Sequence, residues 1–150
     1  MMDAEEITDL WVKDGVMNST PDEEAYKTSR HHAKYIKFMA QAKDHLYKAK
    51  IIKDKMYSEK WHVYTAGYAN VNQEKELEAL WLTKPDFRRK YIKTDLPSVL
   101  DADRDIIQTR SDVARLEAVV DILTDIMKNI NNRGFAIQAY IGWKNYEAGK

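Results

Sequence analysis

Apolar residues recur at alternating steps of three and four along two long stretches of this chain, a spacing that predicts two long amphipathic helices. In the first stretch Tyr35, Phe38, Ala42, Ala49, Ile52, Met56 and Val63 form the seam, with His45 and Glu59 as polar interruptions. In the second, Val113, Leu116, Val120, Leu123, Met127, Ile130, Gly134, Ile137 and Ile141 continue without a break in phase. Thr20-Pro21-Asp22-Glu23 marks the start of the first helix. It offers an N-cap hydroxyl, a proline at the first helical position and a glutamate three residues after the cap, with acids near the positive end of the helix dipole. No glycine or proline follows until Gly67. A helix from Pro21 to about Thr65 is therefore allowed, roughly 65 Å long at about 1.5 Å per residue. The second long helix starts between Ser98 and Asp105 and runs to the end of the chain or nearly so.

Shorter elements fill the rest. Glu5 to Val16 reads as an amphipathic helix with Ile7, Leu10 and Trp11 on one face. Periodicity is lost from Ala66 to Asn72, after which Gln73 to Leu82 forms a short helix with Leu77, Leu80 and Trp81 inward. Lys84-Pro85-Asp86 breaks the chain again. Phe87 to Lys93 then reads as an exposed loop or a very short helix, closed by Asp95-Leu96-Pro97.

The expected fold is all-α. A long N-terminal and a long C-terminal helix pack as a helical hairpin with short helices between them, and the apolar surface left over calls for other subunits. Gly134, in the second seam, would let a neighbouring backbone approach closely. We divide the chain into an N-terminal region, residues 1–98, with an acidic arm and a long basic helix, and a C-terminal oligomerisation region, residues 99–150. The oligomerisation set is Val113, Leu116, Val120, Leu123, Met127, Ile130, Gly134, Ile137 and Ile141.

Composition agrees with helices: 150 residues hold five Gly and three Pro, with 32% charged residues. There is no cysteine, which excludes disulfides and thiolate metal sites. No apolar run is long enough to span a bilayer, and we expect a cytoplasmic protein without a membrane role. The net charge of zero hides an asymmetry. Residues 1–26 carry eight acids against one base, and residues 27–60 carry ten bases against three acids. Lys27, Arg30, Lys34, Lys37, Lys48 and Lys55 follow the seam's stepping one residue ahead of it, as a basic stripe beside the apolar one. Such a block suits a polyanion, though it could equally be a solvated flank or one half of an internally neutralised helix pair.

Candidate chemistry narrows from there. Single strands are held by a cationic track along the phosphates and by aromatic faces that stack on bases. The basic block supplies the first, and Phe87 to Lys93 interleaves both. Phe87 and Tyr91 could be core or stacking residues, whereas Arg88, Arg89 and Lys90 have no core explanation. Asp101-Ala102-Asp103-Arg104-Asp105 copies the opening of a calcium loop, but Ile106 stands where a sharp turn needs glycine and Asp112 where a bidentate glutamate belongs. Acids in the first turn of a helix are the better account. His31, His32, His45 and His62 form no metal-binding spacing. No cofactor is expected. No phosphate-cradling glycine loop or nucleophile motif is present, so enzymatic chemistry is not expected either.

Particular residue strings also resemble a known family. Arg133-Gly134-Phe135-Ala136-Ile137-Gln138, the terminal Tyr146-Glu147-Ala148-Gly149-Lys150, and Val99-Leu100-Asp101-Ala102-Asp103-Arg104-Asp105 resemble the UvsY-type recombination mediators of T-even-like phages. The likeness is fainter in Val16 to Thr20, Lys34-Tyr35-Ile36 and Tyr64-Thr65-Ala66-Gly67. The resemblance implies a ring-shaped homo-oligomer, a hexamer or heptamer, in the host cytoplasm. It implies binding to single-stranded DNA, displacement of the phage single-strand-binding protein, and loading of a RecA-like recombinase, UvsX. The family's basic motif, Leu-Lys-Ala-Arg-Leu, lines up with Tyr57-Ser58-Glu59-Lys60-Trp61, where Lys60 alone carries the charge over. Ser58 and Glu59 depart from it, which suggests that charge has moved upstream; Trp61 could pack or stack. The expected DNA-binding set is Lys43, Lys48, Lys50, Lys53, Lys55, Lys60, Arg88, Arg89 and Lys90. The alternative is a structural coiled-coil oligomer of a phage particle or complex, without nucleic-acid binding.

Overall fold

A computed structural model of the chain describes residues 1–66 and 94–149. The described elements are four helices, α1 (Ala4–Asp14), α2 (Pro21–Ala66), α3 (Leu96–Ala102) and α4 (Arg104–Glu147). The chain forms two compact units, Met1–Asp44 with Arg115–Lys150, and His45–Ala114. The expected Gln73 to Leu82 helix and the Phe87 to Lys93 segment lie outside the described residues.

In the first unit Ile7 of α1, Tyr35 and Ala42 of α2, and Val119, Leu123, Ile126 and Ile130 of α4 form one buried cluster. The first helix begins with a reciprocal cap that its sequence also encodes. Asp3 Oδ1 accepts from the Glu6 backbone N–H at 2.9 Å, and Glu6 Oε2 accepts from the Asp3 N–H at 3.1 Å. The far end of α1 is held by its neighbours. Trp11 meets Tyr35 edge-on at 5.3 Å and His31 at 6.0 Å, while the Arg133 guanidinium covers the indole at 4.9 Å. Arg133 also donates to the Gly15 carbonyl, satisfying an acceptor at the end of a helix. A side chain at Gly15 would bring its Cβ within 2.9 Å of the Trp11 carbonyl oxygen, so this tight ending requires glycine.

The start of α2 differs from the expected box by one residue. Buried Glu24, not Glu23, turns back to accept the Asn18 and Ser19 N–H groups at 3.1 and 2.9 Å. Two electrostatic ties follow from the acidic arm. Asp14 Oδ2 accepts from Lys34 Nζ at 2.6 Å and from the Tyr35 hydroxyl at 3.0 Å. Burial opposes ionisation of Asp14, but the bonds from Lys34 and Tyr35 outweigh it and keep its carboxyl below the usual value. Burial and the adjacent Asp14 push the Tyr35 phenol well up. Burial likewise opposes the charge on Glu24, yet the two backbone bonds hold its carboxyl low.

His31 sits against this cluster, and burial lowers its pKa from an ordinary value near 6.5. The folded imidazole thus resists a proton that the unfolded one accepts, and stability falls as pH drops below about 6.5. Asp14 and Glu24, both depressed, add loss of the same sign further down, as pH falls through the carboxylate range. The thermal midpoint should therefore decline between pH 7.5 and 5.5, and decline less in a His31→Gln variant. A midpoint that rose on acidification would contradict the burial assigned to His31.

In the second unit Met56 and Val63 of α2, Leu96 and Leu100 of α3, and Ile106 of α4 form the buried cluster, with Tyr57, Trp61 and Tyr64 packed against it. Trp61 therefore packs. The two helices that follow are joined by Asp103, whose Oδ1 accepts from the Asp105 and Ile106 N–H groups at 2.9 and 3.2 Å and caps α4. Arg110 pairs with Asp101 at 2.7 Å. The acids that imitate a calcium loop are thus a helix cap and ion-pair partners, and no potential metal cluster occurs among the described residues.

The buried side of α2 is not quite the predicted seam. Tyr35, Ala42, Met56 and Val63 are buried and Ala49 half-buried, as the heptad stepping requires. Of the second line predicted, Phe38 and Glu59 are half-buried but His45 and Ile52 are exposed. Its place is taken one residue later by Met39, Leu46 and Lys53, half-buried, and by fully buried Lys60. Both lines keep a seven-residue spacing, so the inner face pairs positions 35, 42, 49, 56 and 63 with 39, 46, 53 and 60 along the whole stretch.

Candidate nucleic-acid interface

The cations expected to meet DNA fall into three groups. Lys43 in the first unit and Lys48, Lys50 and Lys55 in the second are exposed on α2, and Lys53 is half-buried. Arg88, Arg89 and Lys90 lie outside the described residues.

Lys60 is the correction. It is 0% exposed, and its ammonium lies 2.8 Å from Asp105 Oδ2 and 3.2 Å from Asp103 Oδ2. The Tyr64 hydroxyl donates to the same Asp103 oxygen at 2.7 Å. The one charge carried over from the family's basic motif is, in this chain, an interior cation. The predicted seam, which ran through Met56, Glu59 and Val63, placed Lys60 beside the interior rather than in it. Its partners were not readable either, since Asp103 and Asp105 lie over forty residues away in a segment that otherwise reads as a helix start.

The upstream part of the basic stripe divides similarly. Lys27 pairs with Glu24 at 3.6 Å and Lys34 with Asp14 at 2.6 Å, so the acidic arm neutralises part of the stripe. Arg30 and Lys37 are exposed, the first with its guanidinium 5.8 Å from the Tyr26 ring centre. Around the exposed cations lie apolar groups the seam did not absorb: Tyr26 and Tyr47, each 66% exposed, and Ile36. Reading only the inward stripe overlooked them.

The set assigned to oligomerisation is also partly internal. Val113, Leu123, Ile130 and Ile137 are buried within the chain, and Leu116, Val120, Met127, Gly134 and Ile141 are half-buried. Val119 and Ile126, absent from that set, are buried as well. Among the described residues, nothing beyond Gly134's own stretch of helix lies within 4 Å of the position a Cβ would take there, so none of them makes the close backbone approach expected at that point. Gly134 instead lines a cavity of about 280 Å³ in the first unit, together with Ala25, Thr28 and Ser29 of α2 and Ile130, Ile137 and Ile141 of α4.

An all-helical chain whose longest described helix carries exposed lysines belongs to a class suited to long polyanions. The family model described as recombination, repair and ssDNA binding protein UvsY matches residues 10–150, and the chain belongs to that family. Crystal structures of the bacteriophage T4 recombination mediator protein UvsY share the fold. One lattice form aligns with a TM-score of 0.74 at 20% identity over 99% of each chain. A second gives 0.73 at 18% identity, covering 97% of this chain and 99% of that one. No curated protein matches the chain in sequence. Among the described residues, no helix is long and apolar enough to cross a membrane.

Proposed function

We propose that this protein is a recombination mediator that binds single-stranded DNA through the exposed cations of α2, displaces a single-strand-binding protein and loads a RecA-like recombinase of the UvsX type. The observation that carries the reading is family membership over residues 10–150, joined to exposed Lys43, Lys48, Lys50 and Lys55 on one helix. Lys53, half-buried, contributes to the local field, and Arg88, Arg89 and Lys90 stay in the proposed set on their sequence alone. Lys60 leaves the set, because its ammonium sits between two carboxylates. No covalent step is required. Binding and assembly suffice, since a homo-oligomer repeats a weak site and gains avidity from linked contacts.

Assembly is assigned to residues 99–150, with the contact on the outward side of α4. Phe135, Ala139, Gly142 and Tyr146 step by four, three and four, and all are exposed. On the inward side the same stretch carries Gly134, Ile137 and Ile141. A helix apolar on two faces is covered on both, and the described residues of one chain cover only one of them. A hexamer or heptamer, as the family resemblance implies, would supply the second cover. The protein acts in the host cytoplasm on this reading.

The test is fluorescence anisotropy of a labelled single-stranded oligonucleotide across a salt series, with solution mass measured in parallel. Lys43→Gln, Lys48→Gln, Lys50→Gln and Lys55→Gln keep good helix formers. Each should flatten the log-log salt dependence by about 0.7 if it removes one phosphate contact, with mass unchanged. A well-assembled protein indifferent to single-stranded DNA at physiological salt would instead be a structural coiled-coil oligomer.

A further inference from the structure

We propose that Tyr47 is a base-stacking residue for single-stranded nucleic acid, set in a cation-flanked strip on the outer face of α2; the proposal rests on the single-strand-binding reading above. The second unit buries the opposite side of this helix, through Met56, Lys60 and Val63. Tyr47 is 66% exposed and Ile51 37%. They are four residues apart and share one face. By the same helical geometry Lys50 falls on one flank of that line and Lys48 and Lys55 on the other. All three lysines are exposed. Residues 45–58 hold four lysines against one acid, Asp54.

A lone exposed aromatic needs no explanation. An exposed phenol ring with lysines on both flanks has a specific chemistry. The ring face accepts a nucleobase, and the ammonium groups lie where the flanking phosphates run. Because every base has a π-face, such a site tolerates any sequence, as a protein that coats arbitrary single strands requires. Protein interfaces are depleted of lysine, so the same strip is a poor contact for another subunit. Tyr47 lies outside the positions that line up with the family's basic motif, whose one retained cation, Lys60, is buried.

The experiment compares the full-length assembled protein with its Tyr47→Ala and Tyr47→Trp variants. Each is titrated against a short oligothymidylate and against an abasic strand of the same length. Tyr47→Ala should weaken oligothymidylate binding by about 5- to 150-fold with an unchanged salt slope. Tyr47→Trp should retain the affinity. The abasic strand should bind the native protein more weakly than oligothymidylate and should bind Tyr47→Ala and native protein alike. Equal oligothymidylate affinity for native protein and Tyr47→Ala overturns the stacking role while leaving the wider reading intact. A changed solution mass in Tyr47→Ala assigns the residue to a subunit contact and also overturns the proposal. Failure of the native protein to bind either strand removes the single-strand reading itself, and this proposal with it.

Discussion

Lys60→Gln should destabilise the second unit by about 3–5 kcal/mol, the range for removing one partner of a buried ion pair. The side chains of Lys60, Asp103 and Asp105 are 0%, 1% and 2% exposed, so bulk solvent does not reach the carboxylates to replace the lost ammonium. Two carboxylates would then lose the ammonium they share, and one of them also caps α4. Urea unfolding followed by circular dichroism measures the loss. A compensated variant separates charge from packing. Lys60→Met with Asp103→Asn and Asp105→Asn removes all three charges, and asparagine at position 103 keeps an N-cap acceptor. Most of the stability should return, since replacing a whole buried ionic group by neutral residues is often nearly neutral. Should Lys60→Gln weaken DNA binding while leaving the unfolding midpoint unchanged, the ammonium is a DNA contact and its interior role is wrong.

The same residue shows what the sequence could and could not disclose. Helical class, the start of α2 at Pro21 and the heptad line through Tyr35, Ala42, Met56 and Val63 depend on local spacing, and local spacing is written in the chain. Family membership was readable in the Arg133 to Gln138 and Val99 to Asp105 strings, and the match over residues 10–150 bears it out. What failed was the second line of the seam. The inner face runs through Lys53 and Lys60 rather than Ile52 and Glu59, a shift of one residue that makes an expected surface cation a core one. Charge composition said that residues 27–60 are basic, but composition does not say which cations find carboxylates. Lys34 meets Asp14 across the α1–α2 connection, and Lys60 meets Asp105 at a sequence separation of 45. Both pairings are tertiary. The compact units likewise draw on distant parts of the chain, since α2 and α4 each contribute to both.

Phe135→Asp combined with Tyr146→Asp should dissociate the assembly while leaving the subunit folded. The reason lies in where the apolar residues of α4 point. Leu123 is 0% exposed within the chain's own core, so a charge there would unfold the first unit and loss of assembly would carry no information about the interface. Phe135 and Tyr146 are 71% and 72% exposed, and their replacement removes little that the isolated subunit buries. Trp143 stacks on Tyr146 at 5.8 Å, which presents a broad aromatic surface rather than scattered single groups. Aromatic anchors at the centre of an interface are each worth about 2–4 kcal/mol. A carboxylate placed there adds the penalty of desolvating an unpaired charge. Each such loss corresponds to about a 30- to 1,000-fold rise in the dissociation constant of one contact, and in a symmetric homo-oligomer every contact carries the change. Light scattering should therefore report a single-chain mass at concentrations where the native protein is assembled, with helical circular dichroism retained. An unchanged mass would place the subunit contact elsewhere than the outward face of α4. Loss of helicity along with mass would mean that the subunit depends on its neighbours to fold, and Phe135→Ala with Tyr146→Ala, which introduce no charge, would then separate the interface from the fold by the concentration dependence of the mass.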